Sequence, residues 1–231
     1  MTVRDTVRVH GPDAARYLQG QISQDVDSLA PGDTAWSLIL EPNGKVASWF
    51  RIHRLDASDF LLDTDAGHAA GLVARLERFK LRTDAAIEVV DTAIPVPVVW
   101  PGADDPSDEE QRIRAGMPRL GAELTGDTIP EEGGQRLIDV SVSFTKGCYT
   151  GQELVARIDS RGGNVPRPVR VLVAQAPLEV GAVVAVDGED VGRVTSAAGL
   201  VALAPLMRKV EIGDTVSIGG VPAIVSAPAE S

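Results

Sequence analysis

From Val169 to the end of the chain, short valine-rich runs are cut by Gly181, Gly188, Gly192, Gly199, Gly213 and the pair Gly219-Gly220, and none carries a helix-length apolar stripe. Runs of four to six residues between turn formers predict strands joined by tight turns. Such strands bury their apolar faces only by closing on themselves or stacking as two sheets. Residues 166–231 are therefore expected to form a small antiparallel β-barrel or sandwich, entered after the break Arg161 to Pro168.

Residues 1–165 read differently, as a separate α+β domain. Thr6 to His10 predicts a strand; Gly11-Pro12-Asp13 starts a helix with proline in its first turn, and Gly20 closes it. Strands are expected over Thr34 to Leu40 and Lys45 to Leu55, joined by a hairpin turn at Asn43-Gly44. A short strand follows at Asp59 to Leu62. Asp65 is placed to cap a helix whose apolar stripe is Ala69, Leu72, Val73, Leu76 and Phe79. Ala86 to Val90 and the proline-rich Pro95 to Trp100 predict two more strands, the second at an edge. Ser107 and Glu110 have capping-box spacing at the head of another helix. Strands and helices do not alternate as βαβ units, so the class is α+β.

The chain's one cysteine lies in Lys146-Gly147-Cys148-Tyr149-Thr150-Gly151-Gln152-Glu153. Val140 to Phe144, before it, alternates at period two and predicts a strand. After it, Thr150 and Glu153 have capping-box spacing and open a helix over Leu154 to Ile158. Cys148 then falls in a strand-to-helix turn near Lys146, where a thiolate would be favoured. The alternative is a small buried hydrophobe, with Gly147 and Gly151 supplying only backbone angles.

Continued through Leu154-Val155-Ala156-Arg157, this segment resembles the signature K-G-C-Y-x-G-Q-E-x-V-A-R of the YgfZ/Iba57 family of folate-binding proteins, relatives of the glycine-cleavage T-protein. Three further stretches agree in order. Tyr17-Leu18-Gln19-Gly20-Gln21-Ile22-Ser23-Gln24-Asp25-Val26 resembles the family's Y-L-Q-G-Q-x-T-x-D-V. Glu77 to Arg82 resembles a K/R-Y/F-K-L-R helix end, and Arg112 to Pro118 an R-I-x-A-G-x-P piece. The resemblance implies a T-protein-like folate-binding body followed by a small β-barrel. It departs from the family in the middle, where Pro101 to Gln111 stands in place of a longer α/β stretch. Ser48 and Trp49 stand where aminomethyltransferases carry a working aspartate pair, and neither is a carboxylate.

Within that resemblance the signature residues are Lys146, Gly147, Cys148, Tyr149, Gly151, Gln152, Glu153 and Arg157. Cys148 is the implied functional thiol and Lys146 the group that lowers its pKa. Gln19, Gln21, Arg54, Lys80, Arg82 and Arg112 are the implied contacts of tetrahydrofolate or a one-carbon derivative, with Lys80 and Arg82 toward its glutamate tail. The implied role is an accessory protein for iron–sulfur cluster assembly or repair, whose partners are assembly proteins or cluster-containing clients, tRNA-modifying enzymes included. Two rivals remain: a folate-dependent aminomethyl transferase, and a folate-free interaction module.

Composition narrows the partners. A net charge of −11 over 231 residues disfavours direct nucleic-acid or anionic-membrane contact. No apolar run reaches the roughly 18 residues of a membrane span, the first residues are no signal peptide, and a lone cysteine fits a reducing cytoplasm. His10, His53 and His68 have no metal-ligand spacing with each other or with Cys148, so no metal site is expected. Arg75 and Arg78 read as the solvated face of a helix. Trp36, Trp49 and Trp100 read first as sheet or core residues, each with a flat face suited to a pterin.

Overall fold

The computed structural model describes residues 4–98, 108–160 and 164–229. It divides into two compact units, Met1–Pro97 with Asp139–Asp159, and Val98–Ile138 with Ser160–Ser231. The chain thus leaves the first unit, returns to it and leaves again, rather than crossing at one boundary.

The first unit is a five-stranded antiparallel sheet with two helices on one face. Its strands are β1 (Arg4–His10), β2 (Thr34–Leu40), β3 (Val46–Arg54), β4 (Asp59–Asp65) and β5 (Ala86–Val90), in the order β2-β3-β4-β1-β5. The helices are α1 (Ala14–Gln21) and α2 (Ala69–Phe79). Alternation puts Val7, Val9, Phe50, Ile52, Phe60 and Leu62 on the helix side, where they form one buried core with Leu18, Leu72 and Leu76. The opposite face is polar and aromatic. There Arg51 pairs with Asp63 across β3 and β4, Arg4 with Asp63 and Asp65, and Trp36 stacks on Trp49 at 4.3 Å between centroids. The members of this ion network are nearly inaccessible, which only mutual pairing makes tolerable.

Several expectations for this unit are corrected. Asp65 does not cap α2: β4 continues through it to pair with Arg4, and the Asp5 carboxylate accepts from the Gly67 and Ala69 amides instead. Arg75 is not on a solvated face but is 4% exposed, donating to the Leu40 carbonyl and to Gln21 Oε1. Arg78 does lie at the surface, paired with Glu41. No strand forms over Pro95 to Val98; the carbonyls of Val96 and Pro97 accept from Arg51 instead of a neighbouring strand. Trp100, Asp104, Asp105 and Ser107 lie outside the described residues.

The expected strand at Val140 to Phe144 is the end of a helix, α4 (Gln135–Ser141), followed by irregular chain. The serine that imitates an outward strand position is fully buried. Ser141 is satisfied there on both sides, its carbonyl by the Ser23 hydroxyl and its Oγ by Trp49 Nε1. The next helix, α5 (Gln152–Asp159), starts after Gly151, so Thr150 is not its cap. The Gln152 side chain accepts from the Tyr149 amide instead.

The second unit is a curled half-barrel of seven antiparallel strands: β6 (Val169–Ala174), β7 (Val183–Val186), β8 (Glu189–Arg193), β9 (Ser196–Ala198), β10 (Val201–Pro205), β11 (Thr215–Ile218) and β12 (Val221–Ser226). Their order is β8-β7-β11-β12-β6-β10-β9, and a bridge from Gly192 to Leu206 curls the β8 edge toward the far side of the sheet. A side chain at Gly192 would meet the Pro205 carbonyl at 2.4 Å, so glycine permits the approach. A short helix, α3 (Glu109–Arg114), packs on β9 and β10, capped by Asp108 through the amides of Glu110 and Gln111. Buried Glu123 accepts from Thr195 and Ser196 at 2.5 and 2.7 Å, tying the segment after α3 to the strands.

Candidate functional site

The loop between α4 and α5 presents Cys148 at the surface as a free thiol, while Tyr149 beside it is buried. It is docked on the chain that leaves α1. The Ser143 amide donates to the Ser23 carbonyl at 2.9 Å and the Thr150 amide to the Gly20 carbonyl at 3.1 Å. Lys146 Nζ lies 2.7, 2.8 and 2.8 Å from the carbonyls of Gln19, Ile22 and Gln24. Five carbonyls of residues 19–24 are thus satisfied by residues 143–150, as the orphan acceptors of a helix end require.

The far side of the loop is fixed by two glycines. Gly151 has φ 86°, and a Cβ there would meet the Glu41 carbonyl at 2.6 Å; at Gly44, with φ 83°, it would meet Leu154 Cβ at 2.5 Å. The β2–β3 turn and the first turn of α5 consequently touch backbone to side chain.

An ammonium has three donors, and those of Lys146 are matched to three acceptors. Its charge also sits 5.2 Å from the Tyr149 ring centroid. Burial lowers its pKa from the ordinary lysine value to about 8, with Asp25 and Asp27 acting in the opposite direction. The lysine nearest the thiol in sequence is therefore committed to the backbone of another segment.

The residues implied for folate are not gathered into one array of free donors. Gln19 binds Asp25 and the Val26 amide, Gln21 receives Arg75, and Arg54 donates to the carbonyls of Leu29 and Asp56. Lys80 pairs with Glu77 at the end of α2, and Arg82 is exposed in the turn beyond, at φ 53°. Arg112 belongs to the second unit, fully buried between Glu109, the Met117 carbonyl and Glu123. Glu153 and Arg157 lie exposed on α5. Ser48 is buried with its hydroxyl 3.4 Å from that of Thr64, and Trp49 is 1% exposed.

Periodicity missed Ser23, Ser141 and the pair Arg51 and Asp63. The last pair had a signal: each is a charge inside an apolar strand run, and the hairpin register sets them opposite one another. Among the described residues no group of histidine, cysteine and carboxylates is arranged to hold a metal, and no helix is long and apolar enough to cross a membrane. Two cavities of about 310 and 520 Å³ are lined by the second unit and include none of the residues above.

The two motif stretches, residues 17–26 and 146–157, thus form one hydrogen-bonded joint. A protein of Haemophilus influenzae described as uncharacterized is 29% identical to the chain over 194 residues, covering 71% of this chain and 69% of its own. The tRNA-modifying protein YgfZ of Klebsiella pneumoniae is 28% identical over 219 residues, covering 68% and 65%. An iron–sulfur cluster assembly factor IBA57 homolog, mitochondrial, of Neurospora crassa is 24% identical over 221 residues, covering 70% and 50%.

The chain is similar to the YgfZ and IBA57 proteins along about two thirds of its length.

No family model matches it. It spans 65% of the Klebsiella protein's length and half of the Neurospora protein's. The crystal structure of the glycine cleavage system aminomethyltransferase T from Bartonella henselae superposes with a TM-score of 0.77 at 17% identity, covering 97% of this chain and 83% of that one. That likeness establishes the fold, a T-protein-like α+β body with a C-terminal half-barrel. In YgfZ/IBA57 terms, the joint unites the early glutamine-rich motif and the cysteine signature.

Proposed function

We propose that this protein is a tetrahydrofolate-binding accessory factor for iron–sulfur cluster assembly or repair in the cytoplasm, supporting cluster enzymes that include tRNA-modifying ones. The observation that carries this reading is the joint itself. It holds an exposed thiol on a rigidly docked loop, in a chain whose relatives are named for tRNA modification and cluster assembly.

Cys148 acts on a client's sulfur. Attack of its thiolate on a client disulfide forms a mixed disulfide and releases one client thiolate, and exchange with a second thiol reverses it. Of the cations implied for folate, Lys80 and Arg82 are the ones at the surface able to meet an anionic glutamate tail. When bound, tetrahydrofolate would supply nucleophilic ring nitrogens that carry one-carbon units. The signature arginine, Arg157, is exposed for a carboxylate of ligand or partner.

Tetrahydrofolate titration followed by tryptophan fluorescence tests the shared premise, because Trp36 and Trp49 belong to the same unit as the joint. Absence of binding at millimolar ligand would leave only the interaction module. With an aminomethyl donor and tetrahydrofolate, no methylene-tetrahydrofolate should accumulate, since Ser48 and Trp49 offer no carboxylate. Catalytic product would favour the transferase.

A further inference from the structure

α1 ends at Gln21, and its last carbonyls have no donor of their own within the helix. The chain then turns so that the carbonyls of Gln19, Ile22 and Gln24 converge on one point, 2.7 to 2.8 Å from Lys146 Nζ. The negative ends of three peptide dipoles thus meet where one nitrogen can serve them all. A tripod of donors on a single atom is the geometry of a primary ammonium; a guanidinium spreads its donors in a plane.

We propose that these three carbonyls form a primary-ammonium cage, and that Lys146 fills it to fix the position of the Cys148 loop rather than to ionise the thiol. Lys146 is a positioning residue: its ammonium closes the cage 5.2 Å from the Tyr149 ring centroid, and the amides of Ser143 and Thr150 are then in register with the carbonyls of Ser23 and Gly20. The charged groups around the cage are Asp25 and Asp27 on the α1 side, while Tyr149 contributes its ring from the cysteine side. Only the consequence for client chemistry rests on the proposed function; the cage is read out without folate or client.

Lys146→Ala should accelerate amide exchange at Ser143 and Thr150 by about tenfold, the effect of losing roughly one hydrogen bond's worth of protection. Propylammonium chloride should reverse that acceleration. Tetramethylammonium chloride, which has charge but no N–H, should not. Lys146→Arg should behave like Lys146→Ala, and Lys146→Met, whose apolar side chain of similar length occupies the same path, should show fast exchange that propylammonium cannot correct. The pH midpoint of Cys148 alkylation by iodoacetamide should be the same in wild type and Lys146→Met, while the limiting rate at high pH changes. A midpoint that rises on loss of Lys146, with exchange unaltered, would make the lysine a thiol activator and overturn the proposal. Fast exchange in Lys146→Ala that propylammonium leaves untouched would reduce the lysine to ordinary packing and overturn it equally.

Discussion

The thiol of Cys148 contributes little burial, so its chemistry and its structural cost separate cleanly. Cys148→Ser should change the unfolding free energy by less than about 0.5 kcal/mol in a urea titration. The same variant should fail to restore cluster-dependent enzymes in a deficient strain; restoration by the soluble variant would remove the thiol from the mechanism. Lys146 behaves oppositely. Burial holds its pKa at about 8 in the folded protein, against about 10.4 in an unfolded chain. Between those values the unfolded chain binds more protons, so stability rises with pH across that window and is fully gained above it. The difference in unfolding free energy between wild type and Lys146→Met, followed from pH 7 upward, should therefore shift in favour of the wild type across that window. A flat difference would mean the lysine is not desolvated.

Among the elements, α2 was readable from the period of its apolar stripe, and the half-barrel strands from the glycines that separate them, because both signals are local in the chain. Segments whose buried residues are polar were not. Ser141 imitates a solvent-facing strand position, yet it is buried through bonds to Trp49 and Ser23 that lie far away in the chain. The turn that carries Cys148 ahead of α5 was readable from its local turn chemistry. The carbonyl cage was not, since main-chain acceptors leave no residue-type signature. The first turn of α5 depends on Gly151 both for its positive φ and for its closeness to β2. Gly151→Ala should accordingly cost more than about 2 kcal/mol, combining strain with overpacking, and thermal denaturation will show it as a lowered Tm. An unchanged Tm would mean the β2–β3 turn yields easily.

At the scale of the whole molecule, the polar face of the five-stranded sheet holds its charges through Asp63, which serves both Arg4 and Arg51. Asp63→Ala leaves two nearly buried guanidinium groups short of an anion and should cost about 3–5 kcal/mol in chemical denaturation. A loss below about 1 kcal/mol would show that water reaches that face. The class of each half followed from texture in the sequence, but the route of the chain did not: nothing in composition marks residues 139–159 as returning to the first unit. That return sets an order of events during synthesis. A ribosome releases all five strands of the first sheet before residues 143–150 exist, so the growing chain carries a cluster of backbone oxygens with no lysine to neutralise it. Until the cysteine segment emerges, the place it will occupy is open to whatever small ammonium ions the surrounding solution supplies.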